Sequence, residues 1–275
     1  MKNRTVAVTG SQGFLGSEIV RTLHKSGYKV LELSNSTIDY NDVDTLSNAL
    51  MGIEILIHAG WAGITRNDRN NSGLQKRNVS ISKNLIVACK KAHVSHFVGL
   101  GSQAEFGTQQ APFEDYQLAS PTTQYGFAKI SVHKLLRESG LKFTWARVFS
   151  AYGTGDRRDW IFTKVVNALK NQENLNIGSC SQLWSLTHKA DIAFGTQWII
   201  EREIVDAVNL SSIETRTLRN YLEILQELSG KTNLINFSQN NHEQIDMYPA
   251  RGKLYDSGWK PQIQIEDGFI ECLQI

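Results

Sequence analysis

From residue 5 onward the chain alternates short apolar runs with longer stretches in which apolar positions recur every three or four residues. The short runs, at residues 5–8, 29–33, 53–58, 96–100 and 143–148, have the length and content of strands buried on both faces. Between them, residues 14–26, 42–50, 74–92 and 125–139 carry a helical period. Strand and helix in alternation predict an α/β fold, a doubly wound parallel sheet of Rossmann type with helices on both faces. After Phe149 the rhythm changes to a Gly-rich turn at 152–159, amphipathic helices near 161–170 and 218–228, and short strands. Residues 1–150 are therefore expected to form the sheet domain. Residues 151–275 are expected to form mainly a smaller substrate-binding lobe, with some segments returning to the core and walling a cleft at the strand C-termini.

With 275 residues, 41% of them apolar, and only four prolines, the chain can bury a substantial core. Its 29 basic and 27 acidic residues are interspersed, so no basic face for nucleic acid is expected. No run approaches the roughly 18 apolar residues of a membrane span, and nothing near Met1 marks the chain for export. Cys89, Cys180 and Cys272 are odd in number and lack paired spacing. They are read as reduced, core-packed thiols of a cytoplasmic protein without a metal site.

Gly10, Gly13 and Gly16 sit where the first strand turns into the first helix. Their spacing leaves backbone amides and a helix dipole free to meet a pyrophosphate, which makes the sheet domain a candidate dinucleotide-binding domain. At the end of the second strand, where an acidic side chain would accept the ribose hydroxyls of NAD, this chain has Ser34-Asn35-Ser36. Those neutral groups tolerate a 2′-phosphate, so NADP(H) is the expected cofactor and NAD the alternative; no arginine follows in sequence to grip the phosphate. Asp39, read as following a short strand, is a candidate for the adenine amino group, or an ordinary cap.

Tyr125 and Lys129 lie four apart on a predicted helix and share a face, and Ser102 would emerge just beyond a strand end. A lysine cation beside the phenol is expected to lower its proton affinity, while Ser102 bonds a substrate oxygen. Together the three would polarise a carbonyl or alkoxide as a nicotinamide moves a hydride.

With these pieces in order, the chain resembles the extended, sugar-nucleotide branch of the short-chain dehydrogenase/reductases. The matching segments are TGSQGFLG at 9–16, IHAGWAG at 57–63, Asn78, GSQAEFG at 101–107, YGFAK at 125–129, RVFSAYGTGD at 147–156 and GWKP at 258–261. The resemblance implies cofactor contacts at Gln12, Phe14, Leu15, Tyr40, Ala59, Gly60, Trp61, Asn78, Leu100 and Phe149, alongside Tyr125 and Lys129. It implies substrate contacts at Ala62, Ser102, Gln103 and Ser150, and a satisfied, non-basic His58. It further implies a nucleotide-diphosphate sugar as substrate, a role in deoxysugar synthesis for a surface polysaccharide, and a homodimer through the helices at 74–92 and 125–139. The stripe Ile81, Leu85, Ala88 and Cys89 could serve that dimer or face the sheet.

Within the family the residues after the catalytic hydroxyl separate the reactions. Here they are Gln103 and Ala104, which match neither dehydratases, decarboxylases nor epimerase-reductases of the GDP-fucose type; Glu105 falls one place too late. What remains is reduction of a 4-keto-6-deoxysugar by NADPH, favoured by Ser34 and the short C-terminal lobe, or NAD-dependent 4-epimerisation. The family's usual diphosphate-binding arginines find Trp184 and the neighbourhood of Glu243 instead. Arg157, Arg158 or Arg251 could replace them, and Trp184 could stack on a ring or simply pack. Two rivals stay open: a non-catalytic NADP-binding regulator, and a reductase of a carbonyl without a nucleotide.

Overall fold

The computed structural model describes residues 4–63, 65, 67–239 and 245–274. Among them six strands form one parallel sheet: β1 (Thr5–Thr9), β2 (Lys29–Leu33), β3 (Ile55–His58), β4 (His96–Ser102), β5 (Phe143–Val148) and β6 (Asp206–Leu210). Their spatial order is β6-β5-β4-β3-β1-β2. The chain steps outward from β1 to β2, then crosses back to β3 on the other side of β1. That reversal opens a crevice above the C-terminal ends of β1 and β3.

The strands read as continuous apolar runs because alternate residues feed two cores. Val6, Val8, Ile57 and Val98 pack on one face with α1 (Phe14–Lys25) and α6 (Lys189–Glu201). Ala7, Leu56, Phe97 and Trp145 pack on the other, under α2 (Val43–Ala49), α3 (Ser72–Lys91) and α4 (Gln124–Ser139). A third core joins α5 (Ile161–Asn171), α7 (Leu218–Leu228) and α8 (Ile265–Gln274) around Phe162, Leu222 and Phe269. The later half of the chain is thus divided, since β6 completes the sheet edge beside β5 and α6 lies along α1.

Two expectations change, and one left open is decided. No further strand lies between β2 and Asp39: residues 34–41 form turns in which the Ser34 carbonyl accepts from the Thr37 and Ile38 amides. Ser102 is the last residue of β4 and not beyond it, because its register with Val148 prolongs the ladder. The stripe on α3 faces its own sheet: Leu85, Ala88 and Cys89 are fully buried in the second core and Ile81 packs against it. All three cysteines are free and buried. Glu243 lies outside the described residues. No helix among the described residues is long and apolar enough to cross a membrane, and no cluster of metal-ligating side chains occurs among them.

Candidate active site

β1 delivers the chain into a turn that only glycine fits. Gly10 has φ +66°, and a Cβ on it would lie 2.6 Å from the Cα of Gly60 in the loop after β3. A Cβ on Gly16 would stand 2.0 Å from the Gly10 carbonyl oxygen. The first turn of α1 therefore packs directly on strand backbone. Gly13 donates to the Gly10 carbonyl at 2.9 Å and begins α1 without any side-chain cap. The uncapped amides and the helix dipole make a cradle for an anion, one that exists because no Cβ fills it. Gln12 and Gly13 are exposed at its rim, and Phe14 and Leu15 are half-buried beside it. Gly16→Ala is expected to remove the thermal shift produced by NADPH and to lower the apo melting temperature; an undiminished NADPH shift would contradict the cradle.

Beneath the turn, Thr9 Oγ1 contacts His58 Nδ1 at 2.7 Å and accepts the Gly60 amide at 3.1 Å, while His58 Nε2 contacts Ser82 Oγ at 2.9 Å. Burial, reinforced by the charge of Lys129, pushes the imidazole down to about 3, so His58 stays neutral and serves as scaffold. Asn78 on α3 spends its amide on the loop above, accepting the Ala62 amide at 3.0 Å and donating to the Ala62 carbonyl at 2.9 Å. Ala62 itself is exposed, and Ala59 and Gly60 are half-buried.

At the end of β2, Ser34 Oγ contacts Ser36 Oγ at 2.7 Å, and no acidic side chain stands among Ser34, Asn35 and Ser36. Asn35, Ser36, Asp39 and Tyr40 line a cavity of about 490 Å³. Tyr40 is buried, yet its hydroxyl has no hydrogen-bond partner among the described residues.

Ser102, Tyr125 and Lys129 converge at the other end of the crevice. Lys129 is buried, donates to the Leu100 carbonyl at 2.8 Å and sits 5.6 Å from the Tyr125 ring centroid. Its ammonium also rests 3.5 Å from the ring centroid of Trp61, which stands edge-on to Tyr125 at 5.8 Å. Ser102 Oγ accepts the Ala104 amide at 3.2 Å and interacts with the Tyr125 phenol. Contrary to the sequence expectation, the phenol is raised above the ordinary tyrosine value: burial outweighs the lowering by Arg69, by Ser102 and by Arg158. A phenol in that environment holds its proton at neutral pH and can give it to an oxyanion.

Lys129 moves the opposite way. Burial pushes it down to about 7, with the charge of Glu105 pulling partly back. An unfolded lysine keeps its proton to roughly pH 10, so between about 7 and 10 the unfolded chain binds more protons than the folded one. The penalty for burying this cation is full below about 7 and is relieved as pH rises through that window. Urea unfolding across the window is expected to show wild-type stability gaining on that of Lys129→Met with rising pH; parallel curves would contradict it.

Three of the candidate substrate residues, Gln103, Ser150 and Trp184, form one chain. Gln103 Oε1 accepts from the Ser150 amide at 3.0 Å and from Ser150 Oγ at 3.1 Å, and the Trp184 indole donates to Ser150 Oγ. The two arginines do not act as a pair. Arg157 is exposed, whereas Arg158 is bound to Asp156 and stacks at 5.1 Å over the Phe14 ring. Arg251 is also committed, to Asp256 at 2.9 Å. Phe149 is fully buried, its ring tilted against Phe106 and Phe113. Leu100 is likewise buried, with its carbonyl taken by Lys129.

Two residues escaped the sequence reading. Arg69 stacks on the Tyr125 ring at 4.9 Å from a 3₁₀ turn that no periodicity marks. Glu105, passed over as misplaced, is fully buried, accepts the Ser102 amide at 2.8 Å and the Trp145 indole at 2.9 Å, and pairs with Arg147 at 3.0 Å. Its carboxylate holds the Ser102 backbone and is unavailable for acid-base work.

The model of the NAD dependent epimerase/dehydratase family matches residues 6–211. An uncharacterized UDP-glucose epimerase, YtcB, of Bacillus subtilis is 22% identical over an alignment covering 96% of this chain and 95% of its own. The dTDP-6-deoxy-L-talose 4-dehydrogenase (NAD(+)) of Aggregatibacter actinomycetemcomitans is 25% identical, with 92% and 97% covered. Among solved structures, RMD of Pseudomonas aeruginosa complexed with NADPH superposes with a TM-score of 0.88 at 18% identity, covering 98% of this chain and 97% of that one. The chain therefore belongs to the NAD dependent epimerase/dehydratase family, within the extended short-chain dehydrogenase/reductases, and is a nicotinamide-dinucleotide-dependent enzyme of that family.

Proposed function

We propose that this enzyme reduces the 4-keto group of a nucleotide-linked 6-deoxysugar with NADPH, in the supply of deoxysugars for a surface polysaccharide. The observation that carries this reading is the Tyr125 phenol beside Ser102, raised above the ordinary tyrosine value by burial, while the buried Glu105 carboxylate that acts on it is locked to Arg147 and Trp145. Dehydration needs another acid-base pair, whereas ketone reduction needs only one proton donor and a hydride.

When bound, the nicotinamide supplies the hydride. The chain does the rest. The Gly10–Gly16 turn holds the pyrophosphate and Lys129 holds the ribose. Ser102 orients the ketone oxygen, and Tyr125 passes its proton from Oη to that oxygen as negative charge develops there. Gln103, Ser150 and Trp184 form the wall against which the sugar nucleotide lies. The exposed Val87 on α3 and Phe127 on α4 would face a second copy in a homodimer.

The relatives' names keep 4-epimerisation with NAD as the second reading. Purified protein is incubated with NADPH and a panel of dTDP-, CDP- and GDP-4-keto-6-deoxyhexoses while cofactor absorbance is followed. Oxidation with one of them is the expected result. No oxidation with any, together with interconversion of UDP-glucose and UDP-galactose in the presence of NAD, would overturn it.

A further inference from the structure

We propose that Arg77 binds the 2′-phosphate of the cofactor and sets the preference for an NADP-type dinucleotide over NAD. The inference rests on the dinucleotide reading above and assigns the cation that reading lacks. Along the sequence β2 is followed only by neutral groups, Ser34, Asn35 and Ser36, and no arginine comes next. In the fold α3 passes that turn, and Arg77 lines the same 490 Å³ cavity as Asn35, Ser36, Asp39 and Tyr40.

Two features fit a phosphate there. Arg77 is exposed, and among the described residues no carboxylate is paired with it, so its guanidinium is available. Ser36, exposed and lining the same cavity, has a hydroxyl able to donate to a phosphate oxygen, and it contacts the Ser34 hydroxyl at 2.7 Å. The one opposing charge is Asp39. Its carboxylate already accepts the Asn41 backbone amide and side-chain amide, both at 2.9 Å, which anchors it on its own turn.

The chemistry is selective. A guanidinium fork meets a phosphate with two charge-assisted hydrogen bonds, whereas the bare ribose hydroxyl of NAD offers it one weak neutral partner. Losing Arg77 therefore costs NADPH much and NADH little.

Isothermal titration calorimetry on the full chain tests this with wild type, Arg77→Ala and Arg77→Lys against NADPH, NADH, 2′,5′-ADP and 5′-ADP. Arg77→Ala is expected to weaken NADPH and 2′,5′-ADP by roughly 10- to 100-fold, and NADH and 5′-ADP by less than about twofold. Arg77→Lys, which keeps the charge without the fork, falls between. Equal weakening of all four ligands would show that Arg77 only stacks on adenine, and unchanged NADPH binding would show that it does nothing; either overturns the proposal and leaves the dinucleotide reading standing. A wild type that prefers NADH has the same effect. A wild type that binds neither dinucleotide removes both readings. Arg77 lies on an exposed helix surface, and unchanged melting temperatures of the variants confirm that the comparison is between folded proteins.

Discussion

Replacing Tyr125 with phenylalanine is expected to cut kcat for ketone reduction by about 10²- to 10⁴-fold, the range over which a positioned proton donor contributes. The ring of Tyr125 is held from both sides, with Arg69 stacked 4.9 Å from its centroid and Trp61 edge-on at 5.8 Å. Phenylalanine keeps both contacts and loses only the hydroxyl beside Ser102. NADPH affinity and KM should therefore stay within about twofold, since the variant lacks an interaction realised in the transition state. Steady-state rates on the responsive 4-keto sugar, with NADPH binding measured alongside, check this. A variant that keeps more than roughly a tenth of the wild-type rate would remove Tyr125 from the proton-donor role.

The second large effect is on stability. Glu105 and Arg147 are both buried, 3.0 Å apart, beneath the end of β4. Replacing Glu105 with leucine strands the guanidinium in the core and frees the Trp145 indole of its acceptor. Breaking a buried pair on one side costs about 3–5 kcal/mol. At roughly 2–4 °C per kcal/mol for a chain of this size, the melting temperature falls on the order of 10 °C. Adding Arg147→Met removes the stranded charge, so the double variant should recover much of the loss. The Ser102 amide also loses its acceptor in both variants, so kcat should fall even where stability returns. Thermal melts of both variants beside wild type decide the first point; a single variant as stable as wild type would refute the buried-pair account.

The sheet was legible because its signals are local. Continuous apolar runs such as Ile55–His58 and Phe97–Leu100 can only be strands covered twice, and the glycines at 10, 13 and 16 mark the junction by chemistry that no other residue supplies. The Ser102, Tyr125 and Lys129 set was legible because Tyr125 and Lys129 lie one turn apart and Ser102 ends a strand. What was missed depends on contacts between distant segments. Arg69 meets Tyr125, Arg77 comes to share a cavity with the turn after β2, and Glu105 meets Arg147 only after the chain has folded. The direction of the Tyr125 shift failed for the same reason, since a lysine four residues away is visible in sequence and the burial that outweighs it is not. Phe149 entered the cofactor list through its motif, while its burial against Phe106 and Phe113 arises only in the fold.

The Lys129 ammonium lying on the face of Trp61 gives this enzyme a built-in optical gauge. An indole's light emission responds to a cation held against its ring. A cofactor ribose that draws Lys129 away would alter the colour and brightness of Trp61 before any chemistry begins. Arrival at the crevice is thus separable from turnover by subtracting the spectrum of Trp61→Phe from that of the parent, even with five other tryptophans in the chain.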